Sequence, residues 1–355
     1  MAQNVKGTLK EEAREAESQE ARNIKKLNKI GKRILFELDR DSSQTLNEIG
    51  KKIRKSPQYV EYWINKLRKE GYIKEFLTII DYKKLGYNYY TFYISLRMIS
   101  PKKLQKLFDY FYRDSSITLL YSCYGRWDLI IGFLAKDPLE VGEKIKDVKT
   151  KFSDTIGNLR VETHVGSLFL GRRHLLEGLE ESELEKFSSY PITSAPASEK
   201  REIIEFDKKD LQLLSVLKNN ARTSTIELAE KSHLTPDMVR YRLKKLREKK
   251  VILRYTILPD YEKIDWKLYR VLIKLRRTTP MRERELFKFF ENQPQIIRYT
   301  KEFGTYDVAI DVEIYGNADL NKLIREMKAN FYDIISDLDV LQVERAEKSY
   351  YFLSV

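Results

Sequence analysis

The chain has 355 residues, 34% charged and 42% hydrophobic, with a formal net charge of +13. That length accommodates two or three domains with cores of their own, and the basic balance favours an acidic partner such as nucleic acid or an anionic surface. The single cysteine, Cys123, excludes an internal disulfide, and the absence of a signal-like apolar core or a run of ~20 apolar residues leads us to expect an intracellular protein of a reducing cytoplasm, with no membrane partner.

Residues 1–23 form a polar, mixed-charge extension. Residues 24–81 show a three-helix pattern. Ile34, Leu35 and Leu38 mark the first helix, and Thr45-Leu46-Asn47-Glu48 fits the capping box that opens a short second one. Ser56-Pro57 supplies a good N-cap followed by a first-turn proline, and Val60, Ile64 and Leu67 give the helix it opens an apolar stripe. From Tyr72-Ile73 to Ile80 the residues suit a strand pair, which completes a winged helix-turn-helix pattern.

In residues 82–170 the pattern becomes βαββαβ. Tyr90, Phe92, Ile94 and Leu96 alternate with Thr91, Tyr93, Ser95 and Arg97, as in a half-buried strand. A helix with Leu107, Phe108 and Phe111 follows, then two strands joined at Gly125-Arg126. A second helix with Val141, Ile145, Val148 and Phe152 leads to a last strand. This order is the ferredoxin-like split βαβ unit.

Residues 171–205, with SSYPITSAPASEKRE, suit an interdomain linker with a short helix near Leu175 to Phe187. Residues 206–260 and 261–355 then repeat both domains. The second copy is the first displaced by 179: Tyr62 becomes Tyr241, Asp81-Tyr82 becomes Asp260-Tyr261, and Phe152 becomes Phe331. No gap is needed from Ile34 to Leu159, so each copy is a folding unit. The expected fold class is α+β, with two winged helix-turn-helix domains alternating with two ferredoxin-like βαββαβ domains.

The motifs in this order resemble the Lrp/AsnC family of bacterial and archaeal transcription regulators. The match is closest in the second copy, through Asp207 and Asp210, Asn220-Ala221-Arg222, Leu234-Thr235-Pro236, Arg242, and Ile252 to Tyr255. A Gly-x-aromatic-Asp turn of the family's ligand-sensing (RAM) domain recurs as Gly304-Thr305-Tyr306-Asp307 and as Gly125-Arg126-Trp127-Asp128. The first copy departs from the pattern with Asp39-Arg40-Asp41-Ser42-Ser43, and with Glu61 and Trp63 where the second has Arg240 and Arg242.

The resemblance implies a sequence-specific double-stranded-DNA-binding regulator, associated with the nucleoid and forming dimers or higher homo-oligomers. The two βαββαβ domains are expected to pack together within one chain as a pseudo-dimer with unequal heads. In the second copy Thr235, Asp237, Met238, Arg240, Tyr241, Arg242, Lys244 and Lys245 are expected at DNA, since phosphates need cations and base edges favour arginine forks and polar side chains. Ser56, Gln58, Tyr59, Tyr62, Asn65 and Lys66 are the first copy's candidates. Gly125, Asp128, Gly304 and Asp307 lie close to where the family's amino-acid effector pocket would be, although a tight hairpin is the preferred explanation of these turns.

No cofactor, catalytic group or metal site is expected. His164, His174 and His233 lack metal-ligand spacing, and Cys123 suits a core strand. Two other readings stay open. One is an enzyme like the sirohaem decarboxylases, which share the two-domain fold, although their Asn-His-Arg run is absent at Ile80-Asp81-Tyr82-Lys83 and Leu258-Pro259-Asp260-Tyr261. The other is a scaffold that does not bind DNA.

Overall fold

The computed structural model describes residues 27–176, 190–191, 203–315 and 317–349. The 1–23 extension and most of the 171–205 segment, with its expected short helix, lie outside the described residues.

The first copy runs α1 (Lys29–Arg40), α2 (Leu46–Ile53), α3 (Pro57–Lys69), β1 (Glu75–Ile80), β2 (Asn88–Leu96) and α4 (Pro101–Arg113). It continues with β3 (Ile117–Tyr124), β4 (Leu129–Ala135), α5 (Pro138–Lys151) and β5 (Ile156–Phe169). After a two-residue β6 (Tyr190–Pro191), the second copy opens with α6 (Lys208–Asn219), α7 (Thr225–Ser232), α8 (Pro236–Glu248) and β7 (Ile252–Leu258). Then come β8 (Lys267–Leu275), α9 (Pro280–Glu291), β9 (Ile296–Phe303), β10 (Val308–Ile314), α10 (Asn317–Phe331) and β11 (Ile335–Ser349).

Local chemistry sets the helix starts. Thr45 accepts from the Glu48 amide while Glu48 accepts from the Thr45 amide at 2.7 Å, closing the expected capping box. Ser56 and Thr235 accept from the amides of Tyr59 and Met238, with Pro57 and Pro236 in the first turn.

The strand after each recognition helix differs from expectation. Among the described residues neither β1 nor β7 pairs with a strand of its own copy; they pair with each other, antiparallel, from Glu75 opposite Leu258 to Ile80 opposite Ile252. The reason is local. Asp81 accepts from the Lys83 amide and turns the chain into a single helical turn, Tyr82–Leu85, so β1 gets no returning strand from its own copy. The other copy supplies the missing edge. Around this ribbon the two heads exchange matching bonds, Ser42 N–H to the Tyr255 carbonyl at 3.2 Å and Ala221 N–H to the Phe76 carbonyl at 2.8 Å. They share one apolar core that includes Leu38, Val60, Phe76, Leu217, Val239 and Ile257.

The two βαββαβ sheets also close on one another. β3 pairs with β11 and β5 with β9, so the order β5-β2-β4-β3-β11-β8-β10-β9 returns to β5 as an eight-stranded antiparallel barrel. This is the expected intrachain pseudo-dimer. It also changes β2. Tyr90, Phe92 and Ile94 pack outward with Leu107 and Phe111, but Thr91 and Tyr93 are buried too, because the opposite sheet covers the face expected to be wet. Closure leaves no barrel strand without neighbours on both sides.

The start of the expected linker is a buried strut. The Arg172 guanidinium pairs with Asp39 of α1 and with Glu313 of β10, whose carboxylate also accepts from Tyr261 and lies 3.0 Å from His174 Nε2. One head is thereby ionically joined to the barrel. Burial alone would push Glu313 up, but the Arg172 charge overrides it and holds the carboxyl at about 2.

Candidate nucleic-acid interface

α3 and α8 are the second helices of the two helix-turn-helix units, each opened by a capped proline turn. Val239, Leu243 and Leu246 seat α8 on the core, which turns Asp237, Arg240, Tyr241, Lys244 and Lys245 outward. Arg240 is 61% exposed and its guanidinium is held by Asp237 one turn earlier. Tyr241 is 67% and Met238 45% exposed. The Thr235 hydroxyl is engaged as the helix cap. Lys249 and Lys250 extend the cationic surface past the end of the helix.

Arg242 is placed differently from the rest. Its guanidinium lies 2.7 Å from Asp207 and 2.8 Å from Asp210 at the start of α6, and only 21% of the side chain is exposed. The bond to Asp210 raises its pKa, so the group is firmly a cation turned into the head. The structure thus groups Asp237, Met238, Arg240, Tyr241, Lys244 and Lys245 on one surface and sets Arg242 apart from them.

In the first head Trp63 stands at the position of Arg242, and Asn28 and Gly31 stand for the two aspartates. A Cβ on Gly31 would lie 2.9 Å from the Trp63 ring, so the glycine is what admits the indole. An aromatic plug replaces an ionic clamp. Lys66 sits 4.5 Å over the same ring and Tyr59 packs against it, half-buried. Gln58, Tyr62 and Asn65 remain exposed, and Ser56 caps the helix.

A cleft opens between the heads beside each recognition helix. The one of about 610 Å³ is lined by Arg40, Lys52, Arg247 and Arg254 together with the carboxylates of Asp41 and Glu48. Its counterpart of about 380 Å³ is lined by Glu61, Asn65, Arg68 and Arg222. Arg222 Nη1 donates to the carbonyls of Ser42 and Gln44 at 2.7 and 2.9 Å, so this family-motif arginine joins one head to the other.

The Gly-x-aromatic-Asp turns have a structural use. Asp128 accepts from the Leu96 amide at 2.6 Å and Asp307 from the Leu275 amide at 2.7 Å, an equivalent bond in each copy. Gly125 and Gly304 have φ of 139° and 155°. The amides of Thr305 and Tyr306 point at the Glu162 carboxylate, so the Gly304 turn already holds an anion from the other copy. The roles of Glu162, Asp39 and Arg172 were missed from the sequence: each stands beside polar or charged neighbours, as a solvated residue would, and nothing local marks it as buried.

Comparison with known proteins agrees with this construction. A family model described as winged helix-turn-helix DNA-binding matches residues 27–74 and again 206–252. The chain is 32% identical over 104 residues to an uncharacterized HTH-type transcriptional regulator of Pyrococcus abyssi, spanning 29% of this chain and 69% of that relative. It is 27% identical over 123 residues to the HTH-type transcriptional regulator LysM of Saccharolobus solfataricus, spanning 35% of this chain and 84% of that relative. Among solved structures, that of the siroheme decarboxylase NirDL superposes with a TM-score of 0.59 at 11% identity, covering 92% of this chain and 94% of that one, which is a likeness of fold. With its doubled winged-helix match and this degree of identity to a regulator of one module, the chain belongs to the Lrp/AsnC family of transcription regulators and carries the family's module twice.

Proposed function

We propose that this protein regulates transcription by gripping sequence-specific sites on double-stranded DNA with two unequal heads carried by one polypeptide, and that it acts at the nucleoid in the cytoplasm. The observation that carries this reading is α8: a capped helix on a helix-turn-helix core whose outward surface presents Arg240, Lys244, Lys245 and Arg247. Cations there meet phosphates, and an arginine near the helix start reaches base edges. The β1–β7 ribbon and the closed barrel hold the heads in fixed relation, as dimerisation does for single-module proteins. Because the described barrel strands are paired on both sides within the chain, further homo-oligomers would form through surfaces other than the barrel's strand edges.

No ligand is assigned to Gly125, Asp128, Gly304 or Asp307, whose turns are satisfied by the chain's own groups. Among the described residues no group of three or more His, Cys, Asp or Glu is arranged to hold a metal ion, and no helix is long and apolar enough to cross a membrane.

The test is equilibrium binding to duplex DNA across a salt series. Binding should weaken steeply with salt, with a log–log slope of about −0.9 per phosphate contacted. Charge reversal at Arg240 and Lys244 should weaken it more than reversal at Lys66 and Arg68. The whole-length likeness to a siroheme decarboxylase supports a second reading, an enzyme on the same fold. A coloured complex with sirohaem, together with no salt-dependent DNA binding, would favour it.

A further inference from the structure

The repeat lets the two recognition helices be compared position by position. The outward residues Gln58, Glu61, Tyr62 and Asn65 of α3 correspond to Asp237, Arg240, Tyr241 and Lys244 of α8. Tyrosine is shared and exposed in both, 59% at Tyr62 and 67% at Tyr241. Among these four the charge inverts at one: Glu61, a pure acceptor, stands where Arg240, a pure donor, stands in the other head, whereas the other inversions, Lys69 against Glu248 and Glu70 against Lys249, lie at the far end of the helices.

Arg240 is also pre-set. Asp237 holds its guanidinium one turn from the start of the helix, and both side chains are solvent-facing, so the fork is aimed without being buried. In the major groove an arginine fork matches guanine, which offers acceptors at O6 and N7. A carboxylate at the same place meets those acceptors with repulsion and instead accepts from the exocyclic amine of cytosine. The base that suits Arg240 is therefore the wrong base for Glu61.

We infer that the Glu61/Arg240 position breaks the dyad of the operator. Resting on the DNA-binding reading above, this assigns guanine to the half-site beneath α8, and cytosine to the equivalent place and strand beneath α3. In a perfect palindrome the two equivalent bases are identical, so a palindrome always offends one of the heads. Read along a single strand, the preferred site carries the same base at both places, where a palindrome would carry complementary ones. The remaining outward amides, Gln58 and Asn65, suit adenine in the α3 half-site.

The experiment is selection of bound duplexes from a randomised library by the full-length protein, by Glu61→Arg and by Arg240→Gln. Both substitutions are at exposed positions. The wild-type protein should select a site that is asymmetric in this column. Glu61→Arg should select guanine in both halves and prefer the palindrome over the wild-type site by about tenfold or more, the worth of a good fork contact. Arg240→Gln should lose the guanine preference in one half and leave the other intact. A palindromic wild-type site, or a Glu61→Arg consensus unchanged from wild type, overturns the inference while leaving DNA binding in place. Failure of all three proteins to enrich any sequence overturns both.

Discussion

The indole N–H of Trp127 donates to the hydroxyl of Tyr306 across 3.0 Å, and the two residues lie 179 apart, so each is the other's counterpart in the repeat. Both are buried inside the barrel, and Tyr306 passes the bond on to Asp339 at 2.5 Å. The pseudo-twofold axis runs between them. The two copies are therefore fused core to core, with three strand pairings (β1–β7, β3–β11 and β5–β9) holding one half to the other.

This fusion implies that the covalent link between copies is dispensable once the protein has folded. A protease site placed near residue 196 and then cut should leave two fragments that still migrate with the intact mass by light scattering in native buffer. Trp127→Ala should lower stability by about 3–5 kcal/mol, the usual cost of emptying a buried aromatic site, as read from denaturant midpoints. Fragments that separate without denaturant would argue against the fused core.

The strut at Arg172 gives the protein an acid-sensitive element. Glu313 ionises near 4.5 when unconstrained and at about 2 in the fold. A depressed folded pKa contributes stability that is present above pH ~4.5 and is lost as the pH falls towards ~2. Glu313→Gln should flatten the stability profile across that window. It should also cost about 3–5 kcal/mol near neutral pH, since it leaves the buried Arg172 with Asp39 as its one remaining carboxylate. Urea titrations of both proteins from pH 2 to pH 7 measure this directly.

The two solutions for seating a recognition helix should differ in their response to salt. Arg242→Met removes an ionic clamp worth about 1–3 kcal/mol, and at 1 M salt the difference from wild type should shrink. Gly31→Ala forces a methyl to within 3 Å of Leu27 and Trp63 and should cost about 1–3 kcal/mol at any ionic strength.

Gly304→Ala should destabilise the barrel for two reasons. Its φ of 155° disfavours a side chain, and the new methyl would meet the Glu162 carboxylate. Adding Glu162→Ala should not restore the melting temperature, because the methyl would still lie 2.9 Å from the Val161 carbonyl oxygen and the amides of Thr305 and Tyr306 would lose their acceptor.

Much of this construction is legible in the sequence because it is local. Thr45 with Glu48, Ser56 with Pro57 and Thr235 with Pro236 announce helix starts, and the repeat doubles each signal. What is not legible depends on partners distant in sequence. Nothing near Glu75 to Ile80 says that this strand's neighbour is β7 of the other copy and not a returning strand of its own. Arg242 reads as a DNA contact on charge and spacing, and only the position of Asp207 and Asp210 shows that it turns inward. Arg270 and Asp311 look like solvent-facing alternates on their strands, yet they form a bidentate pair inside the barrel, at 2.7 and 3.0 Å, because the opposite sheet covers them.

In the proposed function one chain grips DNA with two heads that are not equivalent. Hydroxyl-radical footprinting on a selected duplex, with the wild-type protein, an Arg240→Glu/Lys244→Glu variant and a Lys66→Glu/Arg68→Glu variant, tests it most directly. Two protected tracts are expected with the wild-type protein, the loss of one tract with the first variant, and a smaller change confined to the other tract with the second. Equal loss of both tracts in both variants, or no protection by the wild-type protein, would contradict it.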